Sequence, residues 1–227
     1  MKILAFDTTA KAVTAAICED EKLLTSYFAE LPGVHTTETL LPAIEIMLKN
    51  ANLTLDDMEL IAVSAGPGSF TGVRIGVATA KGLAFGRELP CAGVSSLQAL
   101  ATNLRDRDAY VCAAMDARRN QLYYALFKTE NGTLTRLCDD AADSADAAAA
   151  LAREMGITDI ICVGDGAEIA AAAMNKLEIK TSYPTATVLR QNAYGTAVCG
   201  LEAYREGKAV NETELLPIYL RDFGDGK

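Results

Sequence analysis

Lys2-Ile3-Leu4-Ala5-Phe6-Asp7-Thr8-Thr9 decides the reading of the fold. Four consecutive apolar residues, Ile3 to Phe6, give no polar face, so the strand they form is buried on both sides. It ends on a carboxylate and two hydroxyls. Two more strand-like runs, 12–18 and 23–29, follow across the acidic turn Glu19-Asp20-Glu21-Lys22. Links this short join antiparallel neighbours, so the chain opens as a meander. The apolar spacing then turns helical: Leu40, Leu41, Ile44, Met47 and Leu48 share one face, behind a cap at Thr36 or Thr37. A strand at 60–64, a helix at 71–86, a strand at 90–94 and a helix at 96–104 complete a β-β-β-α-β-α-β-α order. The fold class is α/β, a mixed sheet with flanking helices.

The second half repeats this logic. Strands are expected at 109–115, 121–127 and 134–137, a helix at 143–155, a strand at 159–163, and helices at 166–174 and 192–205. Two halves, each opening with a meander, imply a duplicated architecture. The expected division is 1–103 and a smaller 104–211, with a hinge near 103–108 and the tail 212–227 packing back on the first half.

Composition narrows the function classes. Thirty acidic residues against 21 basic ones leave a formal charge of −9 over 227 residues, half of them apolar. A globular chain this acidic, with no long basic run, does not grip nucleic acid by itself. The single histidine, His35, excludes zinc sites built on two or three histidines. No apolar run reaches the roughly 18 residues of a membrane helix. The opening apolar stretch is too short for a signal-peptide core, so the expectation is cytoplasmic. Cys18, Cys91, Cys112, Cys138, Cys162 and Cys199 are scattered through apolar runs and read as reduced core residues.

Three features invite chemistry. The helix at 71–86 carries Gly72, Gly76, Gly82 and Gly86, each interior glycine costing about 1 kcal/mol relative to alanine. Small residues four apart let another backbone approach closely. That backbone is either the helix's own sheet or another protein chain. Before this helix, Gly66-Pro67-Gly68-Ser69-Phe70-Thr71 is either a tight turn or an anion loop, and its spacing is not that of a P-loop. Asp7-Thr8-Thr9 could hold a magnesium-bound phosphate or simply cap its own turn. Asp116 follows the equivalent strand of the second half, and Gly164-Asp165-Gly166 ends a later strand before a helix.

Phe6-Asp7-Thr8-Thr9, His35-Thr36-Thr37-Glu38-Thr39-Leu40-Leu41-Pro42, Ala65-Gly66-Pro67-Gly68-Ser69-Phe70-Thr71-Gly72-Val73-Arg74-Ile75-Gly76, Met115-Asp116-Ala117-Arg118-Arg119-Asn120-Gln121-Leu122-Tyr123 and Pro217-Ile218-Tyr219-Leu220-Arg221 resemble the TsaB (YeaZ) family of glycoprotease-like proteins. The resemblance runs from Met1 to Arg221. It implies two ribonuclease-H-like subdomains of the actin/Hsp70/sugar-kinase (ASKHA) type. It also implies a cytoplasmic, non-catalytic subunit of the bacterial complex that moves threonylcarbamoyl from threonylcarbamoyl-AMP to N6 of the tRNA adenosine next to the anticodon. The implied partners are the catalytic subunit TsaD, the ATPase TsaE and, without TsaD, a second copy of this chain. Contact with tRNA would be only indirect, through the complex, and no membrane is involved.

The family's partner surface uses the first two helices. Carried onto this sequence, it falls on Leu40, Leu41, Ile44, Met47, Gly72, Ile75, Gly76, Thr79 and Ala80. A charge introduced at Ile44 or Gly76 is then expected to abolish pairing and leave the fold intact. Asp7, Thr8, Thr9, Asp116, Gly164, Asp165 and Gly166 would be remnants of nucleotide loops. No catalytic or metal-ligating residue is implied. His35 stands where the catalytic relatives have a two-histidine metal motif, and Thr39 and Leu40 stand where its second histidine would be. A weakly held ATP or ADP with magnesium, at or near the partner interface, stays open. The competing readings are an ATP-dependent small-molecule phosphotransferase of the sugar-kinase type and a glycoprotease-like peptidase.

Overall fold

A computed structural model describes residues 1–30, 36–119 and 121–221; His35 and Asn120 lie outside the described residues. The chain runs β1 (Lys2–Asp7), β2 (Val13–Glu19), β3 (Lys22–Ala29), α1 (Thr36–Asn50), β4 (Leu60–Gly66), α2 (Phe70–Ala84), β5 (Cys91–Ser95) and α3 (Ser96–Thr102). It continues as β6 (Ala109–Asp116), β7 (Gln121–Glu130), β8 (Thr133–Arg136), β9 (Ala141–Ser144), α4 (Ala145–Glu154), β10 (Asp159–Val163), α5 (Ala167–Lys176), β11 (Lys180–Ser182), α6 (Ala186–Leu189) and α7 (Ala193–Arg205).

The first sheet has the order β3-β2-β1-β4-β5 and the second β11-β10-β6-β7-β8, with β9 also on β7. In both, the first three strands pair antiparallel and the later strands join parallel. The two orders are the same path, so the duplication expected from the sequence is what the chain forms. As expected, β1 is buried on both faces: Ile3, Leu4, Ala5 and Phe6 are fully covered. Leu4 and Phe6 join the core under α1 and α2, and Ile3 and Ala5 face α7.

The expected division needs correction at both boundaries. The last helix of each half packs on the other half's sheet. Leu97, Leu100 and Ala101 of α3 share a core with Val111, Ala113, Phe127 and Val163 of the second sheet. Ala193, Ala197 and Leu201 of α7 share a core with Ile3, Ala5, Leu60 and Ala62 of the first. The apolar face of each helix, invisible in a linear reading, decides the assignment. The crossings therefore fall between β5 and α3 and between α6 and α7, not at 103–108. Between the sheets α3 and α7 meet closely: a Cβ on Gly195 would stand 2.1 Å from the Ala99 carbonyl oxygen. Ahead of the tail Val210 pairs with Cys91, and within it Leu215 enters the first core; residues 222–227 lie outside the described residues.

Two helix ends are set by caps. Asp143 and Ser144, read from the sequence as the start of the 143–155 helix, instead end β9 and pair with β7. The Ser144 hydroxyl then accepts from Ala147 N at 3.1 Å and starts α4. α2 ends at Ala84, short of 86, because Gly86 takes φ +75°, a left-handed stop. All six cysteines are free.

Candidate functional site

The hairpins β1–β2 and β6–β7 occupy equivalent places in the two halves and face each other across a cleft of about 400 Å³. Thr9, Ala10 and Lys11 line one wall with Gly68, Ser69, Phe70 and Thr71. Met115, Asp116, Ala117, Arg118, Tyr123 and Asp165 line the other. The volume lies within the usual range for small-ligand sites, and the walls carry both charges. The loop before α2 reaches the cleft because Ser69 N donates to the Thr9 carbonyl at 2.6 Å.

Of the seven residues read as nucleotide-loop remnants, Thr9, Asp116 and Asp165 stand on the cleft wall. Asp7 and Thr8 lie beneath it, 1% and 0% exposed. Asp7 Oδ1 accepts from Thr9 N and from Thr9 Oγ1, each at 2.7 Å. The Ser64 hydroxyl also bonds the Asp7 carboxyl and lies 3.0 Å from Thr196 Oγ1 of α7. Burial pushes the Asp7 carboxyl above its usual range, against the lowering effect of these hydrogen bonds. A carboxyl so enclosed does not fit a magnesium ion held from the cleft. Gly164 and Gly166 are taken up by packing: a Cβ would stand 2.0 Å from the Ala114 carbonyl oxygen at the first and 2.7 Å from Leu122 Cδ2 at the second.

Asp165 ties the second wall together, its Oδ1 accepting from Asp116 N at 3.0 Å. Burial raises its carboxyl, with the Asp116 charge adding and Arg190 and Lys11 opposing. Lys11 and Arg118, on the two hairpins, were not singled out as site residues. The duplication was the signal that could have found them, since it makes their hairpins equivalent. Among the described residues no group of three His, Cys, Asp or Glu side chains is placed to hold a metal ion.

The second candidate site, the face of α1 and α2, needs correction. Leu40, Ile44, Met47, Gly72, Gly76 and Ala80 are buried in the chain itself. Leu40, Ile44, Met47 and Ala80 belong to the core against the first sheet. Gly72 and Gly76 fit the turn after β1: Thr8 Oγ1 donates to the Gly72 carbonyl at 2.7 Å, and a Cβ on Gly76 would lie 2.7 Å from that hydroxyl oxygen. At Gly72 and Gly76 the close approach is within the chain, to the turn after β1, whereas a Cβ on Gly82 or Gly86 would meet nothing within 4 Å. Charges at Ile44 or Gly76 therefore test the fold, not the pairing. Leu41 stays exposed, and Ile75 and Thr79 are half-buried. The outward apolar surface adds Ile46 and Phe85, 58% and 72% exposed. No helix among the described residues is long and apolar enough to cross a membrane.

Comparison with known proteins gives consistent answers. A 140-residue stretch is 37% identical to the tRNA threonylcarbamoyladenosine biosynthesis protein TsaB of Bacillus subtilis (strain 168), covering 62% of this chain and 61% of that one. Over 135 residues the chain is 40% identical to TsaB of Escherichia coli (strain K12), covering 58% of each. These matches thus span less than two thirds of either curated relative. A solved Pseudomonas aeruginosa protein described as similar to peptidase YeaZ superposes with a TM-score of 0.81 at 28% identity, over 97% of this chain and 99% of that one. YeaZ from Pseudomonas aeruginosa gives 0.75 at 26%, over 96% and 99%. Component A of (R)-2-hydroxyglutaryl-CoA dehydratase from Acidaminococcus fermentans, 14% identical, shares the fold alone at a TM-score of 0.51, over 91% and 98%. The family described as TsaD, tRNA N6-adenosine threonylcarbamoyltransferase, matches residues 30–222. With that match over most of its length, the chain belongs to the family described as TsaD, tRNA N6-adenosine threonylcarbamoyltransferase, and within it is similar to the TsaB and YeaZ proteins.

Proposed function

We propose that this chain is a non-catalytic, cytoplasmic subunit of the bacterial complex that transfers threonylcarbamoyl from threonylcarbamoyl-AMP to N6 of the tRNA adenosine next to the anticodon. Its partners in this reading are TsaD, which carries the transfer chemistry, the ATPase TsaE, and a second copy of itself when TsaD is absent. It meets tRNA only through the complex. The names of its relatives support the pathway. The observation that carries the non-catalytic role is Asp7. A phosphotransferase of the sugar-kinase type would aim that carboxylate at a magnesium-bound phosphate; here Thr9 and Ser64 hold it inside the chain. A zinc peptidase is disfavoured by a single histidine.

In this reading the partner meets the outward side of α1 and α2, at Leu41, Ile46, Ile75, Thr79 and Phe85. Exposed apolar side chains here, interspersed with Glu45, Lys49 and Arg74, are the kind of surface that partners cover. Any nucleotide held in the cleft would contact Lys11, Arg118 and the Ser69-Phe70-Thr71 backbone, with no role for Asp7. The test is reconstituted modification: tRNA, threonylcarbamoyl-AMP, ATP, TsaD and TsaE, with and without this chain, read by mass spectrometry of the nucleosides. The chain alone transfers nothing, and modification depends on adding it to TsaD. Full modification in its absence, or phosphorylation of a small molecule by this chain alone, overturns the assignment.

A further inference from the structure

We propose that residues 211–221 form a strap that holds the two units closed over the cleft, with Arg221 as its catch. The strap is fixed along the first unit at successive points. Lys81 Nζ of α2 donates to the carbonyls of Thr213 and Leu215, at 3.3 and 3.0 Å. Leu215 is buried in the first core, and Ile218 N donates to the Ala65 carbonyl at 2.7 Å. Arg74 Nε donates to the Tyr219 hydroxyl at 2.9 Å, while the Arg74 guanidinium lies 3.6 Å from the centre of the Phe70 ring.

The end of the strap then leaves the first unit. Arg221 Nη1 donates to the Ala117 carbonyl at 3.3 Å, and its guanidinium lies 5.2 Å from the centre of the Tyr123 ring. Ala117 and Tyr123 belong to the β6–β7 hairpin, and both line the far wall of the cleft. The rest of the strap moves with the first unit, so any rotation that widens the cleft must pull the guanidinium off both partners. A charge-assisted hydrogen bond and a cation–π contact oppose that motion together. Two units joined by crossings at a few points open by such rotations.

The experiment is native-state hydrogen exchange on the full chain, comparing wild type with R221A, Y123A, Y123F and R221A/Y123A. The catch predicts about tenfold faster exchange at residues 117–119 and 121–124 in R221A and in Y123A. Protection in β1 and β4 stays as in wild type. Y123F, which keeps the ring face, behaves as wild type, and the double variant is no worse than R221A, because R221A already removes the contact that Y123A removes. Wild-type exchange at the hairpin in R221A overturns the strap. So does an additive double variant, or an equal loss of protection in β1 and β4, which would mark general unfolding.

Discussion

Gly72 sits against Thr8 so closely that a Cβ on the glycine would stand 1.9 Å from the Thr8 carbonyl oxygen. The Thr8 hydroxyl closes the contact by donating to the Gly72 carbonyl at 2.7 Å. The turn after β1 and the first turn of α2 are thereby locked as one piece. Gly72→Ala forces backbone apart and is expected to lower stability by about 3 kcal/mol. Gly82, in the same helix with nothing within 4 Å of its would-be Cβ, is the control: Gly82→Ala raises stability by about 1 kcal/mol. Denaturant unfolding of both variants checks the pair, and equal effects would refute the packing argument.

Ile44 and Ile46 separate fold from surface on one helix. Ile44 is 3% exposed, so Ile44→Glu buries an unpaired charge and destabilises by about 4 kcal/mol. Ile46 points outward, and Ile46→Glu changes stability by no more than about 0.5 kcal/mol. On the proposed function, Ile46→Glu with Phe85→Glu nevertheless abolishes co-elution with TsaD in size-exclusion chromatography. Unchanged co-elution would move the partner surface elsewhere.

Asp7 makes stability depend on pH in an unusual direction. Its folded carboxyl is raised above the usual 3.8 by burial, so the native state holds a proton that the unfolded chain releases. Stability from this group is present below the unfolded value and is lost as pH rises through the folded one. Asp7→Asn removes that loss. Thermal unfolding from about pH 4 to pH 8 should show the variant gaining on wild type as pH rises. A gap that narrows instead means that the hydrogen bonds from Thr9 outweigh burial.

The thiols should be nearly inert. Burial pushes Cys18 and Cys199 up to about 12 and Cys91 to about 11, which leaves almost no thiolate at neutral pH. Cys138 alone among the six is not fully buried. Titration with a thiol reagent at about pH 8 is expected to modify Cys138 first, with the rest reacting only on unfolding. Fast labelling of Cys18 or Cys199, located by peptide mapping, would contradict the burial.

The architecture was legible because apolar runs report burial directly. The run from Ile3 to Phe6 announced a two-faced strand, and the recurrence of the meander announced the duplication. Partner helices and sheets were less legible, because the apolar stripes on α3 and α7 do not say which sheet they meet. The same gap misdirected the interface. Leu40, Ile44 and Met47 form a stripe at helical spacing whether they face a partner or the core. Of the glycines expected to admit a close approach, Gly72 and Gly76 do so and Gly82 and Gly86 do not; only the position of Thr8 shows what approaches. At the cleft, sequence marked the carboxylates by type and could not show that Asp7 is roofed by Thr9.

The exchange of final helices has a consequence for how the protein is made. The first sheet cannot be covered on its α7 side until the last helix has left the ribosome, by which time the whole second unit has been synthesised. Until then Ile3, Ala5, Ala16, Leu60 and Ala62 present an open apolar wall. The second unit has no such wait, because its covering helix α3 precedes its strands. Translation therefore completes the halves in the reverse of their order in the gene, and a nascent chain stalled between α6 and α7 exposes the surface that a chaperone would bind.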